Sequence, residues 1–259
     1  MKQKNLSFLG DISVEEKNFL SRVIEWSIMA EEKFITKYSG FLDERMIVLC
    51  RKVFSSIKYD NYAFWGGYEN AERKMLCVYP PYDEIDLNKF PLKAIKFSFR
   101  EQDKLSHRDF LGALMSLQIS RDSIGDILVG DGIAYVFVRE SVADCIFPIN
   151  KIGKIGVKIC EGFDENFIPK CEYREIHGTV ASMRSDCIFS LALGVSREKA
   201  VNILKSGNAY VDHSLCSQPS KLMEEGSKFS ARGYGKYLLK KVDGISRKDR
   251  IHITVYKYI

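Results

Sequence analysis

Apolar residues recur at helical spacing from about residue 13 to residue 58: Phe19, Leu20, Val23, Ile24, Ile28 and Met29, then Met46, Ile47, Leu49, Val53 and Phe54. A break near Ser39-Gly40 separates the two runs, and Ser13 followed by Glu16 fits a capping box at the first helix start. Two extended candidates follow, Tyr62 to Trp65 and Met75 to Tyr79, on either side of WGGYENAERK. Pro80-Pro81 closes this region and marks an expected domain boundary.

From about Pro91 the pattern becomes strand, helix, hairpin, helix, strand. In AIKFSFR, Ile95, Phe97 and Phe99 alternate with Lys96, Ser98 and Arg100, as in a half-buried strand. Ser106 and Asp109 frame a helix start, and Phe110, Leu111, Leu114 and Leu117 form its apolar stripe. DILVGDGIAYVFV reads as two strands around Gly130-Asp131-Gly132. A short helix near Ser141 to Phe147 stops at Pro148, and KIGVKIC follows as a strand. This β-α-β-β-α-β order predicts a ferredoxin-like sandwich resembling an RNA-recognition sheet.

Residues 161 to 178 are polar and mixed in charge, and read as a connector with room for one strand. Beyond it, two short helical patterns, Met183 to Leu193 and Arg197 to Lys205, are separated by Gly194-Val195-Ser196. Gly there ends one helix and Ser caps the next. A stop at Gly207 precedes a short strand at Ala209 to Val211. The chain ends with Lys236 to Val242, a turn at Asp243-Gly244, and a strand in which Ile251, Ile253 and Val255 alternate with His252 and Thr254. The fold class expected is α+β in three parts: a helical N-terminal α/β region (1–80), a ferredoxin-like middle domain (81–175) and a small C-terminal domain (180–259).

With 259 residues and 46% apolar content the chain is an ordinary globular protein. No apolar run approaches the roughly 18 residues of a membrane span, and MKQKNLSFLGDISVEEK lacks the apolar core of a secretion signal. A cytoplasmic protein is expected. The seven cysteines (Cys50, Cys77, Cys145, Cys160, Cys171, Cys187, Cys216) are widely spaced, without a C-x-x-C pair. They read as reduced thiols, with no disulfides and no metal.

Charge changes the picture more. From Val180 onward there are 14 Lys+Arg against 7 Asp+Glu, whereas the preceding 179 residues hold 25 against 27, so the excess of +5 comes from the last third. Such asymmetry points to a polyanion, because phosphate neutralisation by Lys and Arg releases counterions. There is no long basic amphipathic helix to lie on a membrane instead. Arg197 and Lys205 fall on one flank of the second short helix, and Ser196 with the free N–H groups of the next turn makes an anion site. Arg184, Arg197, Lys199, Lys205, Arg232 and Lys236 lie within 53 residues, which favours RNA over solvated charge. In ARGYGKY the glycines permit close approach and Tyr234 and Tyr237 suit base stacking, although a buried tyrosine in an ordinary loop would look the same.

These residues resemble the RNA-binding domain first recognised in small-subunit ribosomal protein S-four, the αL motif. The matching features are Arg184 and Asp186, SREKAVNILKSG for the second helix and its stop, AYVD for the strand, Pro219-Ser220, and Glu225-Gly226. The chain departs at Asp212-His213-Ser214, where that family commonly has Asn-Gly. An altered turn is expected there, with His213 replacing a backbone contact by a side-chain one.

The rest narrows the resemblance. GGYENAERK (66–74), LSHRDFLGALMSL (105–117), IGDILV (124–129) and KIGKIGVKI (151–159) are similar to the bacterial YlmH family, also called RqcP, over nearly the whole chain. The resemblance is weakest in the first 40 or so residues. It implies an RNA-binding factor of ribosome-associated quality control, with large-subunit ribosomal RNA and tRNA as partners and a tailing factor on the same particle. Its implied task is to support tRNA during template-free C-terminal tailing of a stalled nascent chain. It implies no cofactor and a monomer away from the ribosome. The RNA-contacting set is then Arg184, Ser196, Arg197, Lys199, Lys205, His213, Arg232 and Lys236.

Outside that set two readings stay open. In GGYENAERK the glycines serve a tight turn with the charges solvated, or Tyr68, Arg73 and Lys74 make a second contact with ribosome or tRNA. His107 and Arg108, in the first turn of a helix, are surface residues or part of the same contact. Phe97, Phe99, Tyr135 and Phe137 could imitate base-stacking aromatics, but Phe97 and Phe99 share a face with Ile95, which favours core packing.

No P-loop, dinucleotide-binding, nucleophile-elbow or H-E-x-x-H motif is present, so no catalytic residue is expected and Asp109 and Asp186 read as helix-start residues. The same RNA-binding module accompanies pseudouridine synthases and rRNA methyltransferases, so an RNA-modifying enzyme is the alternative. A cell-division-linked adaptor is another, since older descriptions connect the family with division.

Overall fold

The computed structural model describes residues 6–10, 12–167, 169, 173–212, 214–246 and 249–258. The chain divides into two compact units, 1–170 and 171–259.

The first unit opens with α1 (Val14–Lys33), where the Ser13 hydroxyl accepts from the Glu16 N–H at 3.2 Å and the Glu16 carboxylate accepts from the Ser13 N–H at 2.8 Å. The capping box expected from sequence is therefore formed. Next come β1 (Lys37–Leu42), α2 (Glu44–Ile57), β2 (Tyr62–Trp65) and β3 (Lys74–Val78), with strand order β1-β3-β2. The Ser39-Gly40 break expected between two helices is thus a strand. Its ladder is irregular between Tyr38 and Phe41, where the Ser39 hydroxyl accepts the Leu76 N–H at 2.8 Å. Gly40 is needed because a Cβ there would lie 2.7 Å from the Asp122 carbonyl oxygen. Two turn-prone residues sit inside a strand because tertiary packing outweighs their local preference.

The unit continues with β4 (Leu92–Ser98), α3 (His107–Ser116), the hairpin β5 (Ile124–Val129) and β6 (Ile133–Arg139), and α4 (Glu140–Ala143). A small hairpin of β7 (Lys151–Ile152) and β8 (Ile155–Gly156) leads into β9 (Lys158–Glu161). These strands, without the small hairpin, form an antiparallel sheet of order β5-β6-β4-β9. The expected strand in KIGVKIC is split between β8 and β9.

Burial explains how these parts stack. Leu20 and Val23 of α1 and Val53 and Phe54 of α2 cover Leu76 and Val78 on one face of β3. The other face, Met75 and Cys77 with Phe41, meets Tyr135, Phe137 and Leu128 of the second sheet. That sheet's opposite face, Ile95, Phe97 and Val136, packs on Phe110 and Leu114 of α3. The unit is a helix–sheet–sheet–helix stack in which each sheet has both faces occupied. Tyr135 and Phe137 are therefore core residues, 2% and 0% exposed, closed over by Tyr68, Phe163 and Phe167. The face that carries bases in an RNA-recognition sheet is covered here.

The second unit begins with β10 (Tyr173–Val180), followed by α5 (Ser185–Leu193), α6 (Arg197–Lys205), β11 (Ala209–Val211), β12 (Ser214–Leu215), β13 (Lys228–Ala231), β14 (Gly235–Ile245) and β15 (Ile251–Tyr258). The sheet is antiparallel in order β10-β15-β14-β13-β11-β12. Alternation sends Val180, Phe229, Tyr237, Leu239, Ile253 and Val255 to one face, where Ile188, Phe189, Ala200 and Leu204 of the two helices cover them. β14 runs through the expected turn at Asp243-Gly244 to Ile245, because ladder irregularities between Leu239 and Lys241 and between Val242 and Ile245 absorb the extra residues. The chain reverses after it, where the Ser246 N–H donates to the Arg250 carbonyl at 2.7 Å.

Candidate nucleic-acid interface

The helix pair is built as its sequence dictates. Gly194 takes the left-handed conformation (φ 64°) that closes α5, and the Ser196 hydroxyl accepts the Lys199 N–H at 3.2 Å to cap α6. The start of α5 is held from below by the Pro219-Ser220 segment. Ser185 N–H donates to the Lys221 carbonyl at 2.8 Å, Asp186 N–H to the Pro219 carbonyl at 3.1 Å, and the Ser185 hydroxyl to the Gln218 carbonyl at 2.9 Å. This accounts for a Pro-Ser pair so far along the chain from the helix it anchors.

Asp186 sits on that anchor, 2% exposed, and holds two arginines. Arg184 donates to its two carboxylate oxygens at 3.2 Å each, one from Nε and one from Nη2. Arg197, from the first turn of α6, donates from Nε at 2.9 Å and Nη2 at 2.8 Å. Burial pushes the Asp186 carboxyl up, but the hydrogen bonds and charge of the two arginines outweigh it and hold it below the usual carboxylate range. The arginines stay half exposed, at 39% and 56% of their side chains. Two guanidinium groups are thus fixed side by side at adjacent helix N-termini, with donors left over for solvent or ligand. Asp186 was expected only as a helix-start residue. Sequence spacing cannot reveal that α5 and α6 bring residues 184 and 197 onto one carboxylate.

The remaining expected residues divide. Lys199 and Lys205 are exposed on α6. Arg232 is exposed in the turn between β13 and β14, and its N–H donates to the carbonyl of Asn208, three residues past Lys205, at 2.9 Å. Lys236 alternates with buried Tyr237 in β14 and so lies on the sheet face turned away from the helices. Tyr237 is 1% exposed, stacks on Phe229 at 5.2 Å and donates its hydroxyl to the Tyr234 carbonyl at 3.0 Å, which makes it a core residue. His213 lies outside the described residues.

In the first unit, Tyr68 and Arg73 are engaged internally. The Tyr68 hydroxyl donates to Asp126 at 2.8 Å, and the same carboxylate accepts the N–H groups of Glu72 and Arg73 at 2.7 and 3.0 Å. The Arg73 guanidinium donates to the carbonyls of Ile124, Phe41 and Arg121 at 3.0, 3.0 and 3.1 Å. Asp126, which its place in IGDILV gave no reason to single out, pins the 66–74 segment to the second sheet. Lys74 starts β3, half-buried, while His107 and Arg108 are exposed at the start of α3. The Ser106 N–H donates to Asp109 at 2.8 Å, so Asp109 is a helix-start residue as expected.

No helix among the described residues is long and apolar enough to cross a membrane, and among them no group of three or more His, Cys, Asp or Glu is placed to hold a metal ion.

Comparison with known proteins adds three findings. Residues 87–164 match the family model described as "Putative RNA-binding domain in YlmH". Over 246 residues, 93% of this chain and 94% of the relative, the sequence is 31% identical to the ribosome-associated protein quality control protein P2 of Bacillus subtilis. A solved structure, the cell division protein ylmH from Streptococcus pneumoniae, aligns with a TM-score of 0.50 at 22% identity, over 59% of this chain and 93% of that one, and supports the fold alone. An identity of this level across almost the full length of both chains establishes that this chain belongs to the YlmH family.

Proposed function

We propose that this chain is a non-catalytic, cytoplasmic RNA-binding factor of ribosome-associated quality control, contacting large-subunit ribosomal RNA and tRNA while a stalled nascent chain is extended at its C-terminus. The observation that carries this reading is the pair Arg184 and Arg197 fixed on buried Asp186 at the joined N-termini of α5 and α6. Preset guanidinium groups at the N-terminal end of α6 suit a phosphate backbone. Lys199 and Lys205 extend the positive surface along α6 and Arg232 adds to it from the neighbouring turn, with Ser196 holding the helix start. The relative's name as a quality-control protein and the family model's RNA-binding description agree with this role.

The family model's RNA-binding description of residues 87–164 supports an RNA contact there, made from outside the sheet because both of its faces are filled. Exposed His107 and Arg108 and half-buried Lys74 are the proposed residues of such a contact, whereas Tyr68 and Arg73 serve it only by shaping the 66–74 segment.

The test is co-sedimentation with large ribosomal subunits. Reversing Arg197 and Lys205 to Glu should abolish it, and losing two phosphate contacts should lower the salt slope of binding by roughly 1.4 to 1.8. Unchanged sedimentation would reject the site. Unaltered nucleoside modification of ribosomal RNA and tRNA in a deletion strain is the matching expectation for a non-catalytic factor.

A further inference from the structure

The sheet of the second unit has a second face that the helices do not use. Residues alternating with its core positions point there: Tyr173 of β10, Tyr256 and Tyr258 of β15, and Lys236 and Lys240 of β14. The three tyrosines form one column. Tyr173 stacks on Tyr256 with centroids 4.9 Å apart and planes 23° apart, and Tyr258 meets Tyr173 edge-on at 5.9 Å. The Lys240 ammonium lies 5.9 Å from the Tyr256 ring centroid. Tyr173 is 45% exposed.

We infer that this face is a platform for unpaired RNA, with bases stacking on the Tyr173–Tyr256–Tyr258 column and the backbone running over the lysines of β14. Three features carry it. Large aromatics stand together on a sheet face that the helices do not cover, with Tyr173 exposed and Tyr256 and Tyr258 half-buried. Interleaved lysines supply phosphate partners beside the rings. Lys228, Lys236 and Lys240 lie on this face, where Glu175 is already bonded by His177 at 3.1 Å and by the Tyr256 hydroxyl and Asp243 is taken up by Lys241 at 2.6 Å. A protein partner would call for an apolar patch, whereas lysines lie among the tyrosines here and Leu238 and Leu215 stand on different strands, β14 and β12. The inference rests on the reading of the chain as RNA-binding, but it adds a single-strand site on the side opposite the helix grip. A strand leaving a folded RNA held by Arg184 and Arg197 would then be engaged by the same unit on its other face.

The experiment uses the full chain with two fluorescein-labelled probes, a 12-nucleotide oligouridine and a 12-base-pair RNA duplex. Replacing Tyr173 and Tyr256 together by Ala should weaken oligouridine binding by roughly 30-fold or more, because two stacked bases are lost, and leave duplex binding unchanged. Replacing both by Phe should retain oligouridine binding, since the π-face persists. Reversing Arg184 and Arg197 to Glu should cost duplex binding and spare most of the oligouridine signal. Wild-type oligouridine affinity in an Ala double variant whose thermal unfolding is normal would overturn the inference. If that variant unfolds early, the Phe pair and Lys240→Glu decide instead: a Phe pair that fails to bind, or a Lys240→Glu variant that binds as well as wild type, also overturns it. A wild-type chain that binds duplex but not oligouridine defeats this inference and leaves the RNA-binding reading standing. Failure on both probes defeats both.

Discussion

Arg197 places its Nε and Nη2 donors 2.9 and 2.8 Å from one carboxylate oxygen of Asp186, a residue eleven positions earlier and almost fully buried. Each charge solves a problem for the other. The carboxylate would be costly under the helix pair without donors, and the guanidinium would be free to sample many rotamers without the carboxylate. With Arg184 on the same group, a surface that looks merely basic in sequence becomes a fixed arrangement of donors.

Asp186→Asn separates charge from arrangement. The substitution makes the protein more positive, which by counterion release alone should strengthen RNA binding. It also removes the anion that aligns Arg184 and Arg197, and their mutual repulsion then spreads them. Weaker binding to a structured RNA, measured by filter retention at fixed salt, is the expected outcome. Binding equal to or tighter than wild type would show that total charge, not geometry, sets affinity.

Acid should act on the same carboxylate. Its folded-state pKa is depressed, so the stability it contributes is fully present above the ordinary carboxylate range, about pH 4, and is lost as pH falls through the lower folded value. The difference in unfolding free energy between wild type and Asp186→Asn should therefore be constant from about pH 7 to 5. It should shrink below about pH 4, where wild type surrenders its own charge. Denaturant titrations across that range would refute this if the difference grew on acidification.

How much of this was legible in advance follows from the range of each signal. The α6 boundaries, its Ser196 cap, the Gly194 stop and the Ser13–Glu16 box depend on residues within one turn of each other, and those expectations match the structure. The strand at Lys37–Leu42 was hidden because Ser39 and Gly40 are there for contacts with Leu76 and Asp122, far along the chain. Asp186 and Asp126 were hidden for the same reason: a carboxylate that gathers donors from several segments looks in sequence like any other acidic residue. Lys236 and Tyr237 stand together in ARGYGKY as candidate contacts, and the sheet sends them to opposite faces. Which face the helices cover is set by packing with α5 and α6, far from this strand in sequence.

Gly67→Ala tests the role of the paired glycines in GGYENAERK. Gly67 has a positive φ of 100°, and a Cβ there would come within 2.3 Å of the buried Phe137 ring. Both effects act together, so a loss of about 2–4 kcal/mol is expected from backbone strain and overpacking. Thermal denaturation of the full chain should show it as early melting of the first unit. Wild-type stability would mean that the 66–74 segment can move off the second sheet despite the three hydrogen bonds to Asp126.

Arg197→Lys isolates the fork of donors from the charge. A lysine ammonium keeps the positive charge near Asp186 but cannot direct two fixed donors onto one carboxylate oxygen while leaving further coplanar donors facing outward. The number of neutralised phosphates is then unchanged, and the slope of log affinity against log salt should stay as in wild type. Affinity itself should fall several-fold at every salt concentration, so that the two salt plots run parallel. Asp186→Asn should instead change slope and affinity in a coupled way, because it alters how many cations reach phosphate. Superimposed plots for Arg197→Lys and wild type would reduce the clamp to an ordinary ion pair, and a shallower slope would mean that the lysine no longer reaches the backbone at all. Parallel displacement is the one result that requires the guanidinium geometry seen at Asp186.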